Sequence, residues 1–193
     1  MTEDFLYPEI LISAYSQGFF PMADETGKIY WHNPDPRAII PLRNVKVPRS
    51  LKQFFKKNDV TFRIDSNFEY VIKKCAQRRS SWISPEIEAG FIMFHDYGFA
   101  HSVETYIDGE IVGGLYGVAI GGAFFGESMF SDVSNASKAA FYYLVFRMID
   151  RGFILLDSQY VNEFTRSLGA IEIPKINYLN ILKRALTLPC SLI

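Results

Sequence analysis

Residues 101–127 read HSVETYIDGEIVGGLYGVAIGGAFFGE. Three runs rich in β-branched and aromatic residues, 101–107, 110–120 and 123–127, are separated by Asp108-Gly109 and Gly121-Gly122, dipeptides that supply the positive φ of short hairpin turns. The spacing predicts an antiparallel meander. Beyond it, 135–151 carries apolar residues at helical spacing (Ala139, Ala140, Tyr143, Leu144, Phe146, Ile149), with Gly152 as C-cap. A short buried strand is expected at 153–157, then a helix capped by Asn162 and ending at Gly169. Strands, helix, strand and helix in this order argue for an α/β sandwich around a mixed sheet.

Upstream, a helix at 9–17 is stopped by Gly18. Two aromatic, proline-punctuated stretches follow, Phe19-Phe20-Pro21-Met22 and Trp31-His32-Asn33-Pro34-Asp35-Pro36-Arg37, which read as loops ordered by packing. A short basic helix at 50–57, a strand at 60–64 and a helix at 68–78 come next. Ser84-Pro85-Glu86 supplies an N-cap, a first-turn proline and a first-turn acid for a helix running to Tyr97.

The 193 residues are 49% hydrophobic, 21% charged and 16% aromatic, enough to bury a substantial core as one compact unit. Cys75 and Cys190 lie far apart, with no partner at metal or redox spacing, so a disulfide framework and a zinc site both lack support. The acidic amino terminus lacks the basic start and apolar run of a secretory signal, and the longest uncharged stretch, 111–126, is shorter than the ~20 residues of a spanning helix. A cytoplasmic protein is expected, and the sequon at Asn135-Ala136-Ser137 reads as coincidence.

Charge is uneven. The segment 37–79 holds 12 of the 20 Lys and Arg against three acids, a net +9, whereas 1–36 and 80–193 each carry −5. Such a segment is either a phosphate-facing surface or a solvated face that keeps the protein soluble.

The G-x-G-x-x-G fingerprint, the P-loop, G-x-S-x-G and H-E-x-x-H are all absent. The glycines of 113–126 therefore belong to turns or to places of close backbone approach. Polar residues do stand at the ends of apolar strands, in 124–131 (FFGESMFS) and 155–159 (LLDSQ). A carboxylate set among aromatics is costly to bury unless it is hydrogen-bonded or binds a ligand. Glu127 and Asp157 are thus either functional or caps and partners of Lys138 or Arg166, and Trp82 is either core or a stacking platform.

A wider pattern joins these pieces: Ala14-Tyr15-x2-Gly18-x-Phe20-Pro21-Met22, Pro34-x-Pro36-Arg37, Trp82-Ile83, His101-Ser102-Val103-Glu104, Val112-Gly113-Gly114-Leu115-Tyr116-Gly117-Val118, Phe124-Phe125-Gly126-Glu127-Ser128-Met129-Phe130-Ser131, Ala136-Ser137-Lys138, Asp157-x-Gln159 and Ser167-Leu168-Gly169-Ala170. From about residue 10 to 182 the chain resembles the bacterial leucyl/phenylalanyl-tRNA–protein transferases. The resemblance implies transfer of Leu or Phe from aminoacyl-tRNA to the α-amine of proteins beginning with Arg or Lys, creating a degradation signal, and an apolar lining of Leu115 and Phe124 would admit Met as well. It implies a GNAT-like domain at 41–193 behind a short N-terminal subdomain at 1–40, with no cofactor, metal or membrane partner, in a monomer.

It also implies roles. Gln159 sits at the attacking amine, Asp157 polarises it through a hydrogen bond, and Glu127 orients the aminoacyl end. Leu115, Phe124 and Met129 line the pocket for the donor side chain, Trp82 stacks near the terminal adenosine, and Met22 makes an apolar contact where some members place Trp. Arg37, Lys46, Arg49, Lys52, Lys56, Lys57, Arg78 and Arg79 meet tRNA phosphates. Phe164 stands where many members have His, and the chain begins later than longer members do. The rival expectation is a tRNA- or peptide-binding module without catalysis, against which the joint presence of Asp157, Gln159 and Glu127 speaks.

Overall fold

The computed structural model describes residues 6–43, 45–78 and 81–193. The meander forms as β5 (Ala100–Ile107), β6 (Glu110–Ile120) and β7 (Ala123–Ser131), preceded by α1 (Pro8–Ser16), β1 (Phe20–Ala23), β2 (Ile29–His32), β3 (Arg37–Ile39), α2 (Arg49–Lys57), β4 (Val60–Ile64), α3 (Phe68–Ala76) and α4 (Pro85–Asp96). It is followed by α5 (Ala136–Asp150), β8 (Leu155–Gln159), α6 (Glu163–Ser167), β9 (Ile171–Ile173) and α7 (Lys175–Ala185). Asp108 and Gly109 both take positive φ, 52° and 82°, the conformation a two-residue hairpin connection needs.

Seven strands form one mixed sheet in the order β4-β5-β6-β7-β8-β3-β9, and β1 and β2 make a separate hairpin. Within the large sheet β7 and β8 run parallel; the other pairings are antiparallel. The mixed sheet flanked by helices expected of a GNAT-like α/β unit is what forms. One face packs against α1, α3, α4 and α7 through residues such as Leu11, Val71, Phe91 and Leu182. The other packs against α2 and α5 through Leu51, Phe54, Ala140 and Leu144. Gly113 lets α5 approach, since a Cβ there would lie 2.6 Å from that of Ala136.

Several expectations are corrected. The proline-punctuated stretches expected as loops overlap β1, β2 and β3, and local pattern does not mark β9 or α7. A three-residue strand has no periodicity to read; β3 exists because β8 and β9 offer it partners on both sides. On α5, Phe146 and Ile149, expected on the buried stripe, are 46% and 43% exposed. The strand expected at 153–157 lies two residues later, at Leu155–Gln159, which carries Asp157 and Gln159 inside the sheet. No helix among the described residues is long and apolar enough to cross a membrane.

Candidate active site

The parallel pair β7–β8 is in register over only Ala123↔Leu155, Phe124↔Leu156 and Phe125↔Asp157. Beyond Phe125 and Asp157 the two strands no longer pair, and a cavity of about 520 Å³ is lined by the ends of both. Its apolar wall is built from Leu115, Phe124, Phe141, Leu144, Leu156 and Leu168, while Glu127, Ser128, Ser158 and Gln159 supply the polar wall. Met22, Arg78, Trp82, Met129 and Phe164 also line it.

Glu127 reaches the cavity through a register break. Tyr116 pairs with Ser128 and Gly117 with Gly126, so Glu127 is the extra residue of a β-bulge, a device that re-aims a side chain. Its Oε1 accepts hydrogen bonds from the Tyr15 hydroxyl at 2.7 Å and from Gln159 Nε2 at 2.9 Å. Its Oε2 is buried without a partner among the described residues. Burial pushes the carboxyl up to about 8; the Tyr15 and Gln159 hydrogen bonds oppose that shift, and the neighbouring Asp157 charge adds to it.

Asp157 is held in the opposite way. Arg37 grips it in a fork, Nε to Oδ1 at 3.0 Å and Nη2 to Oδ2 at 2.6 Å, and the Tyr178 hydroxyl donates to Oδ2 at 2.7 Å. The Gln159 backbone N–H fills the remaining position on Oδ1 at 2.8 Å. The guanidinium lies between the rings of Phe20 and Tyr178, 4.6 Å from each centroid, and donates to the Gly18 carbonyl at 2.9 Å. Burial works against the Arg37 charge, but Asp157 more than offsets it, and the guanidinium is held above its ordinary range.

Two sequence expectations change here. Arg37, expected on the phosphate-facing surface, is 0% exposed and neutralises Asp157, because a buried carboxylate needs a paired, hydrogen-bonded cation. Asp157 touches Gln159 through the backbone N–H, and the Gln159 side chain turns instead to Glu127. Gln159 adopts φ of 64°, a left-handed conformation uncommon outside glycine, so its placement is sustained by the surrounding bonds.

The structure brings Leu115, Phe124, Met129, Trp82 and Met22 to the cavity together with Glu127 and Gln159. Arg78 joins them, exposed, with Nη1 3.4 Å from the Met129 carbonyl. Lys46, Arg49, Lys52, Lys56 and Lys57 lie exposed on and before α2, whose buried side is Leu51 and Phe54. Arg79 lies outside the described residues. Local pattern does not single out Phe141, Leu144, Leu156 or Leu168 as cavity lining, nor Tyr178 as a partner of Asp157. Helical and strand periodicity marks such residues as core and carries no signal that part of the core is hollow.

The leucyl/phenylalanyl-tRNA protein transferase family model matches residues 39–183, and the model of that family's N-terminal domain matches 6–35. The chain belongs to this family. A leucyl/phenylalanyl-tRNA–protein transferase of Gloeobacter violaceus is 50% identical over 96% of this chain and 97% of its own length. Another, of Chlorobaculum tepidum, is 49% identical over 92% and 94%. Among solved structures, L-PGS from Bacillus licheniformis aligns over 80% of this chain and 51% of its own with 15% identity and a TM-score of 0.46. In this transferase family member, the cavity between β7 and β8 sets an apolar wall beside Glu127 and Gln159.

Proposed function

We propose that this protein transfers Leu, Phe or Met from aminoacyl-tRNA to the α-amine of proteins beginning with Arg or Lys, as a cytoplasmic monomer. The observation that carries the reading is a cavity in which a deep apolar wall meets Glu127 and Gln159. The apolar wall accepts the donor side chain, and a charged side chain entering it would lose its hydration without compensation. Residues 1–40 act with 41–193 as one catalytic unit, since Tyr15 and Arg37 from the former hold the two carboxylates of the latter.

An aminoacyl ester is already activated, so the main task is to place a neutral amine against its carbonyl. The amine nitrogen attacks the ester carbon, the bond to the ribose oxygen breaks, and the proton lost by the amine ends on that oxygen. Gln159 anchors its amide by donating one N–H to Glu127, and its amide oxygen, the side chain's one acceptor, aligns the attacking N–H. Asp157 acts through the backbone N–H that holds Gln159 in its left-handed conformation, and Arg37 and Tyr178 act through Asp157. Trp82 offers a stacking surface to the terminal adenosine, while the exposed bases Lys46, Arg49, Lys52, Lys56, Lys57 and Arg78, with Arg79, meet backbone phosphates.

The test is incubation with tRNA charged separately with Leu, Phe, Met and Asp, and with peptides beginning with Lys, Arg or Ser. Transfer of the three apolar residues to the Lys and Arg peptides is expected. No transfer of any residue would favour a binding module.

A further inference from the structure

Four side-chain oxygens of residues lining the cavity have no hydrogen-bond partner among the described residues, Glu127 Oε2 and the hydroxyls of Tyr116, Ser128 and Ser158, and the first three are neighbours. Their proximity follows from register. Tyr116 and Ser128 are directly opposed across β6 and β7, so their side chains share a face, and Glu127 is the bulged residue beside Ser128. The Tyr116 ring is fully buried and clamped edge-on by Phe68 and Phe91, at centroid distances of 5.8 and 5.5 Å, which fixes where its hydroxyl sits. Burial first and the nearby Glu127 carboxylate second hold that phenol well above its ordinary range, so it stays neutral. The other charges facing it are Arg78, exposed, and Glu88 on α4. The Ser128 hydroxyl lies near the buried Cys75 thiol without a hydrogen bond of acceptable geometry to it.

Unpaired buried oxygens are costly, and three in one wall mark a place where a ligand supplies the missing donors. The two hydroxyls can accept, and Glu127 Oε2 accepts once a neighbouring cation favours ionisation of its carboxyl, so the complementary ligand is cationic and carries several donors around one atom. A hydroxyl offers one donor, and a guanidinium spreads its donors in a flat fork. A primary ammonium has three N–H donors on a single nitrogen.

We propose that Tyr116 and Ser128 complete, with Glu127 Oε2, a binding site for a primary ammonium group. The inference rests on the transferase reading, in which two such groups enter the cavity: the α-amine of the transferred residue and the N-terminal amine of the acceptor. The donor amine is the favoured occupant, since Leu115, Phe124 and Met129 line the same cavity as Glu127, so a donor whose side chain lies against them carries its amine towards that carboxyl. The site would then be what makes the enzyme prefer a free aminoacyl group.

The experiment compares leucyl-tRNA with 2-hydroxyisocaproyl-tRNA, its isosteric analogue made by nitrous acid deamination. Both are assayed as donors and by equilibrium binding, using the full chain and its Tyr116→Phe and Ser128→Ala variants. The wild type is expected to favour leucyl-tRNA by about tenfold or more, and each variant to lose much of that preference while keeping its melting temperature. If the preference stays and the KM for the acceptor peptide rises instead, the ammonium held is the acceptor's. Folded variants with unchanged donor preference and unchanged acceptor KM would overturn the proposal. A protein that transferred nothing would sink the transferase reading alone, because the ratio of the two donor Kd values still decides whether an ammonium is held.

Discussion

Asp157 on β8 and Glu127 on β7 flank the same splayed strands, yet they are treated in opposite ways. Asp157 has two donors on each oxygen, a forked guanidinium among them, and its charge is neutralised where it lies. Glu127 has two neutral donors on one oxygen and, among the described residues, no partner on the other, and burial raises its pKa to about 8. The saturated carboxylate has no acceptor position left for a ligand, and the half-satisfied one keeps an oxygen open. A buried acid is therefore read by how many of its acceptor positions are filled, more than by how deeply it lies.

Removing the scaffold should have the largest effect. Arg37→Ala leaves Asp157 buried without its cation and should cost about 3–5 kcal/mol, read by denaturant unfolding. If stability fell by less than about 1 kcal/mol, Asp157 would not be the scaffold acid of the pair. Gln159→Ala touches no buried charge pair directly and should leave the fold intact. It should lower kcat by about 10²-fold, with the KM for aminoacyl-tRNA nearly unchanged, because its amide aligns the amine only during attack. An increase confined to KM would mean that Gln159 merely binds.

Glu127→Gln sharpens the comparison through pH. A folded pKa above the unfolded one means that the neutral acid lends stability at low pH, which is lost as pH rises towards about 8. The Gln variant has no such loss, so its melting temperature should match the wild type near pH 5 and exceed it by about 10 °C near pH 9. A gap that widened towards low pH would reverse the assignment. The smallest effect is expected far from both acids. Replacing exposed Lys56 and Lys57 with Ala should reduce the salt dependence of tRNA binding by about one unit of slope for each phosphate no longer neutralised, without changing stability.

The two acids also mark how far local pattern reaches. Glu127 is conspicuous in the sequence because a carboxylate among aromatics has no cheap structural role, and Gln159 because it ends an apolar strand. Arg37 is hidden for an equally physical reason: in a segment rich in Lys and Arg a single guanidinium looks like part of a basic face, and burial of one member leaves no mark on composition. Its partner lies 120 residues away in sequence. Local pattern gives Tyr15 and Tyr178 no role either, since only the third dimension reveals that each hydroxyl ends on a carboxylate.

The amino-acid sequence by itself determined the meander, the helices α4 and α5, the positive segment and the acids at strand ends. These follow from interactions within a few residues: hairpin dipeptides, caps and apolar periodicity. Tertiary structure alone decided that β3 inserts beside β8, that β7 and β8 part to open a cavity, and that the bulge turns Glu127 into it. Those outcomes depend on pairings between distant segments and on how densely two core faces can fill. Such long-range contacts leave no local signature, so they become visible only in the folded chain.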